Sequence, residues 1–137
     1  MTPVTIELSD TKFRQQFESC TLDPAYFNHL GHLRIAWLYL SEFPLEKAVD
    51  LACSGIKFYA ESLGATDKFN YTITDAIIRI IHRRIKLQEI KEWSLFLSNN
   101  EDLVLNALEV LLNHYSKALL FSNRARQSLV QPDIKTI

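Results

Sequence analysis

Turn-forming residues are scarce in this chain: three glycines and four prolines in 137 residues. So few argue against a β architecture, whose short strands need many tight turns, and against long disordered tracts. An excess of one charge is missing as well. Lysine and arginine total 15 against 16 for aspartate and glutamate, a net charge of −1. A near-neutral chain has no overall field to draw in a polyanion, so neither nucleic acid nor an anionic membrane surface is an expected partner. The longest unbroken apolar run, Ile35 to Leu40, falls far short of the ~20 residues that span a bilayer. Met1 to Asp10 shows neither the basic nor the apolar region of a secretory signal. Cysteine is sparse. Cys20 and Cys53 stand far apart without metal-like spacing, the pattern of two reduced thiols in a cytoplasmic protein. There is no glycine-rich phosphate loop, no G-x-S-x-G elbow, no C-x-x-C and no H-E-x-x-H.

What the chain does have is helical period. Its length and its 47% apolar content suit one globular domain over residues 1–137, with residues 1–8 and 133–137 expected to fray. Ser9 caps a short helix carrying Phe13 and Phe17 one turn apart, and Thr21-Leu22-Asp23-Pro24 ends it. A second helix runs from Pro24 or Asn28 to Ser41, with His29, Leu33, Ala36, Trp37 and Leu40 on one face and His32 on its shoulder. A third, Pro44 to Leu63, has proline at its start and Gly64 just past its end. The β-branched stretch Asn70 to Leu87 could be read as a strand. Its period decides for a helix: Ile73, Ile77, Ile80 and Ile81 cluster on one face while Arg79, Arg83 and Lys86 share another. Further helices are expected at Gln88–Ser98, at Glu101–Tyr115 and near Asn123–Leu129. The predicted fold is an all-α bundle of about six helices.

His29 and His32, three apart near the start of the second helix, project to the same side. That side is the apolar stripe, so both rings are expected to face the core, where the positive end of the helix dipole and burial favour neutral rings, the state a metal ligand or general base requires. Gly31 between them leaves room for close approach. Either residue could equally be a core histidine satisfied by a carbonyl. Metal ligation needs a third donor, and neither His82 nor His114 has diagnostic spacing, so His29 and His32 are only weak metal candidates. Asn70 and Thr74, one turn apart on the side of Ile77 and Ile81, are expected to point inward. They could cap their helix, or face the two histidines across a polar pocket inside the bundle. Arg34 and Trp37 could assist there. The basic surface of Arg79, His82, Arg83, Arg84 and Lys86 has no helix-turn-helix beside it and reads as a solvated face.

Phe27-x-His29-x-x-His32-Leu33-Arg34-x-Ala36-Trp37-Leu38-Tyr39-Leu40 and Phe69-x-x-Thr72-Ile73-Thr74 resemble the signature segments of a family of small all-helical bacterial proteins of unknown function. Asn99-x-x-Asp102-Leu103, Ala125-Arg126 and Pro132-Asp133 are similar to that family too. In the family pattern a histidine stands where this chain has Asn70. The resemblance therefore implies a three-histidine cluster in which this member replaces one imidazole by an amide, a poor ligand for zinc. It implies a site without naming a reaction.

Three functional readings follow. The chain binds a small ligand through His29, His32, Asn70 and Thr74. Alternatively it is an enzyme, with or without a metal, in which one neutral histidine acts as base and Asn70 or Thr74 steadies a developing negative charge. Or it is an interaction module, a homo-oligomer among the possibilities, with structural histidines. Neither cofactor nor substrate is identified by any motif.

Overall fold

A computed structural model of the chain describes residues 8–137. Among them are eight α-helices, two short 3₁₀ turns and no strand, so the all-α architecture expected from periodicity is observed. The chain divides into two compact units, one ending at Phe69 and the other beginning at Asn70.

In the first unit, α1 (Asp10–Glu18) starts at Ser9, whose hydroxyl accepts from Lys12 N, and buries Phe13 and Phe17. After a turn, Pro24–Tyr26 forms a 3₁₀ segment with Asp23 as its cap. α2 (His29–Glu42) begins at Asn28, whose side chain accepts from Gly31 N, and α3 (Leu45–Ser62) begins after Pro44. α3 buries Ala48, Val49, Ala52, Cys53, Ile56 and Tyr59. Gly64 follows it at φ +70°, the left-handed stop its position in the sequence predicted. A second 3₁₀ turn, Thr66–Lys68, closes the unit.

Aromatic packing joins these elements. Phe27 stacks on Phe17 at 5.0 Å between centroids and meets Tyr59 edge-on at 4.9 Å. The Tyr59 hydroxyl donates to the Leu22 carbonyl at 2.7 Å, so the buried phenol is satisfied. Arg14 ties α1 to α2 through Glu18 and Glu42, lying over the ring of Tyr39. Neither Cys20, half-buried, nor Cys53, buried, is in a disulfide.

The second unit is built on α4 (Tyr71–Gln88), followed by α5 (Trp93–Asn99), α6 (Glu101–Leu111), α7 (Lys117–Leu120) and α8 (Asn123–Gln127). Here boundaries differ from expectation. α5 starts only at Trp93 because Glu89 takes a left-handed conformation that stops α4. α6 is broken by non-helical Asn106 and ends at Leu111 rather than at Tyr115. The inward face of α4 also differs: Thr72, Asp75, Ala76, Ile78, Ile80 and Ile81 are buried, while Ile73 and Ile77 are half-buried. Asp75 enters the interior because Arg79 donates to it at 2.6 Å.

Within residues 133–137, expected to fray, Asp133, Ile134 and Lys135 are hydrogen-bonded. The Asp133 carboxylate accepts from both the main-chain nitrogen and the hydroxyl of Ser116, and the His114 carbonyl accepts from the main-chain nitrogens of Ile134 and Lys135. Upstream, the hydroxyl of Thr72 donates to Ser128 O and accepts from Val130 N, while Tyr115 donates to Val130 O. The fraying expected at residues 1–8 lies outside the described residues except at Leu8, whose main-chain oxygen accepts from Arg34 at 2.7 Å.

Candidate functional site

α2 opens on a built turn. The Asn28 side-chain oxygen accepts from Gly31 N at 3.0 Å, and its main-chain oxygen accepts from His32 N at 3.1 Å. The same carbonyl takes a further bond at 2.8 Å from Nδ1 of His32. A carbonyl can only accept, so Nδ1 carries the proton and Nε2 of the neutral ring is left with its lone pair. On the other side the His32 ring lies against Phe27, centroids 4.1 Å apart. Gly31 makes this close packing possible, because a Cβ there would run into the main-chain oxygen of Tyr26.

Position and tautomer of His32 are therefore fixed by its neighbours. Burial is the first cause that lowers its pKa below the usual histidine value; the bond to Asn28 opposes that shift and the nearby His29 adds to it. Among the described residues Nε2 has no hydrogen-bond partner, and no buried side-chain nitrogen or oxygen is left unsatisfied. Nε2 must then reach the surface. His32 presents an oriented, neutral acceptor at the mouth of an aromatic cluster.

Other sequence-predicted positions take different roles. His29, expected inward, is exposed, because the first turn of α2 projects beyond the packed positions that begin with Gly31 and Leu33. Trp37 is buried as expected. Arg34 is committed to holding the start of α1: it bonds Asp10 at 2.8 Å and Leu8 O, and stacks over Phe13 at 4.4 Å.

Asn70 belongs to the second unit, where its side-chain oxygen caps α4 by accepting from Ile73 N at 3.0 Å and its amide nitrogen donates to Leu120 O at 2.9 Å. The Thr74 hydroxyl donates to the Asn70 carbonyl at 3.1 Å. Of the two roles expected for Asn70 and Thr74, these bonds are those of the helix cap. An asparagine with extended backbone at a helix start satisfies an otherwise orphaned N–H, and a threonine one turn on satisfies a carbonyl.

The residues that orient His32 entered the sequence reading only as a possible helix start (Asn28) and as the first residue of the motif (Phe27), not as site residues. The Asn-x-x-Gly spacing is the one local signal of the cap. Among the described residues no group of three histidine, cysteine, aspartate or glutamate side chains could hold a metal ion. Nδ1 of His114 is bonded to Lys135 O, and His82, half-buried beside Lys86 and Arg79, has a pKa lowered first by burial. No helix among the described residues is long and apolar enough to cross a membrane. A cleft of about 520 Å³ runs along α6, lined by Asp102, Asn106, Glu109, Val110 and Asn113; none of the expected site residues lines it. No family model, curated protein or solved structure matches the chain.

Proposed function

We propose that the first unit binds a small polar ligand at the amino-terminal turn of α2, with Nε2 of His32 as the central hydrogen-bond acceptor. One observation carries this reading: the bond from Nδ1 to the Asn28 carbonyl at 2.8 Å, which fixes ring, tautomer and the direction of the lone pair together. Pre-orientation of this kind removes the rotamer entropy that a loose surface histidine loses on binding. A neutral acceptor selects a ligand that brings a donor, such as a hydroxyl, an amide N–H or an amine. His29, on the same turn, and the ring of Phe27 neighbour the His32 imidazole. The sequence resemblance supports the same turn, since both of its histidines fall in the first motif.

The test is a nitrogen-detected NMR screen of the imidazoles against hydroxyl-, amide- and amine-bearing fragments. Binding is expected to move the Nε2 resonance of His32 and to be lost in His32→Gln with the fold intact. Fragments that bind equally well to both proteins, or none that perturb the imidazole, would defeat the proposal. The same bond supports the enzymatic reading, because an Nδ1–H anchored on a carbonyl raises the basicity of Nε2. A fragment that is chemically changed, with turnover lost in His32→Gln, would identify a base rather than a binding group.

A further inference from the structure

We infer that the second unit associates with a second copy of this chain, the acidic face of α6 in one copy meeting the basic end of α4 in the other. The two helices carry opposite charge. Between Glu101 and Leu111, α6 has three carboxylates, Glu101, Asp102 and Glu109, and no basic residue. The last two turns of α4, residues 82–88, contain Arg83, Arg84 and Lys86 and no acidic residue. Within the unit one pair is already matched: Arg84 grips Asp102 with two bonds of 2.6 and 2.8 Å. That leaves Arg83 and Lys86 exposed on one helix and Glu101 and Glu109 exposed on the other.

Apolar exposure follows the same two helices. Leu105 is 72% exposed and Leu108 41% on α6, and Leu87 is 70% exposed at the end of α4. Leu105 and Leu108 lie on either side of the break at Asn106, and Leu87 shares a side of α4 with Arg83. An exposed leucine with charges of one sign on each helix, Glu89 being the one acidic group just past the end of α4, is the composition of a small two-component contact, apolar at the centre and ionic at the rim. The shallow α6 cleft holds Asn106 and Glu109 beside the already paired Asp102, acceptors within reach of a long basic side chain. Each copy owns both halves, and the Arg84–Asp102 pair sets them side by side, an arrangement in which one two-fold axis makes the contact twice and closes the assembly at two copies. The area is small, so the association is weak, concentration-dependent and sensitive to salt.

Sedimentation velocity on the full chain tests this over a range of loading concentrations. The wild type is expected to shift from monomer to dimer at low salt and to return to monomer in about 1 M salt, where the Debye length is about 3 Å. Arg83→Glu and Glu109→Lys alone should each weaken dimerisation about tenfold or more by placing like charges together. Combined in one chain, the two exchanges should restore it to within about threefold of wild type. All altered positions are exposed, and circular dichroism verifies that the fold survives. A chain that stays monomeric throughout overturns the inference, as does a double exchange that fails to recover. So does a basic end that binds a DNA or RNA oligonucleotide while the protein remains monomeric and indifferent to Glu109→Lys.

Discussion

His32 and Phe27 lie ring against ring, their planes tilted by 34°. Burial there costs the charged imidazolium more hydration than the neutral ring, and the pKa is lowered accordingly. A base whose folded pKa lies below its unfolded value binds protons more weakly in the native state. Stability is then unaffected by this group above the unfolded pKa of about 6.5 and falls as pH drops from there through the folded pKa. Urea midpoints taken between about pH 7.5 and pH 5, a window dominated by histidine titration, should decline more steeply for wild type than for His32→Gln. His82 acts in the same direction, so His82→Gln supplies the control. Equal slopes in wild type and His32→Gln would show that the ring does not titrate as its surroundings demand.

Gly31 tests the scaffold under that ring. A methyl group there meets a main-chain oxygen, that of Tyr26, and a main-chain atom cannot rotate aside as a flexible side chain can. Alanine is the better helix former by about 1 kcal/mol, yet overpacking typically costs 1–3 kcal/mol, and here it pushes on the segment that carries Phe27. Gly31→Ala is therefore expected to lose about 1–2 kcal/mol in urea unfolding and to shift the His32 ring resonances, despite its higher intrinsic helicity. A gain in stability would mean that the 3₁₀ segment moves away without consequence.

Much of this fold was legible in the residues, and the misreadings share a cause. Ser9, Pro44 and Gly64 are chemical signals of helix ends and stand where the helices begin or stop. Period identified α4 as a helix despite its β-branched content, but period cannot reveal which polar groups find partners. Thr72 and Asp75 are buried because Ser128, Val130 and Arg79 satisfy them, and these partners come from tertiary structure or from a neighbouring turn. At the candidate site the histidine pair was readable from spacing. That His29 is exposed while His32 is half-buried depends on where the chain before α2 lies, which a helical wheel does not contain. Asn70 illustrates the converse: its capping of α4 follows from local chemistry, one of the two roles its position allowed.

Two left-handed residues had no signal in the sequence. Cys20 and Glu89 adopt φ of 61° and 53°, the left-handed region in which a side chain is disfavoured. Glu89 is the cleaner test because it is exposed. Glu89→Gly should stabilise the protein by about 0.5–1 kcal/mol, with Glu89→Asn intermediate and Glu89→Val destabilising. Denaturant unfolding of the three variants gives the order directly, and a glycine variant less stable than wild type would show that the carboxylate does something the backbone geometry does not require.

Thr72 and Thr74 separate a structural hydroxyl from a dispensable one. Thr72 is fully buried, and its hydroxyl both donates to Ser128 O at 2.8 Å and accepts from Val130 N at 3.1 Å. Valine has nearly the same shape, so Thr72→Val leaves the packing and removes both bonds. It strands a donor and an acceptor away from water, at about 1–3 kcal/mol each where no rearrangement relieves them. Serine keeps the hydroxyl and should cost much less. Thr74 is half-buried, and its hydroxyl returns only to the Asn70 carbonyl, which already accepts from Thr74 N. Thr74→Val should therefore change stability by less than about 0.5 kcal/mol. Chemical denaturation of the valine pair, with Thr72→Ser as the rescue, measures the contrast. If both valine variants lose the same amount, Thr72 does not hold the segment after α8, and that segment owes its place to burial of Val130, to the Tyr115 hydroxyl and to the bonds between Asp133 and Ser116.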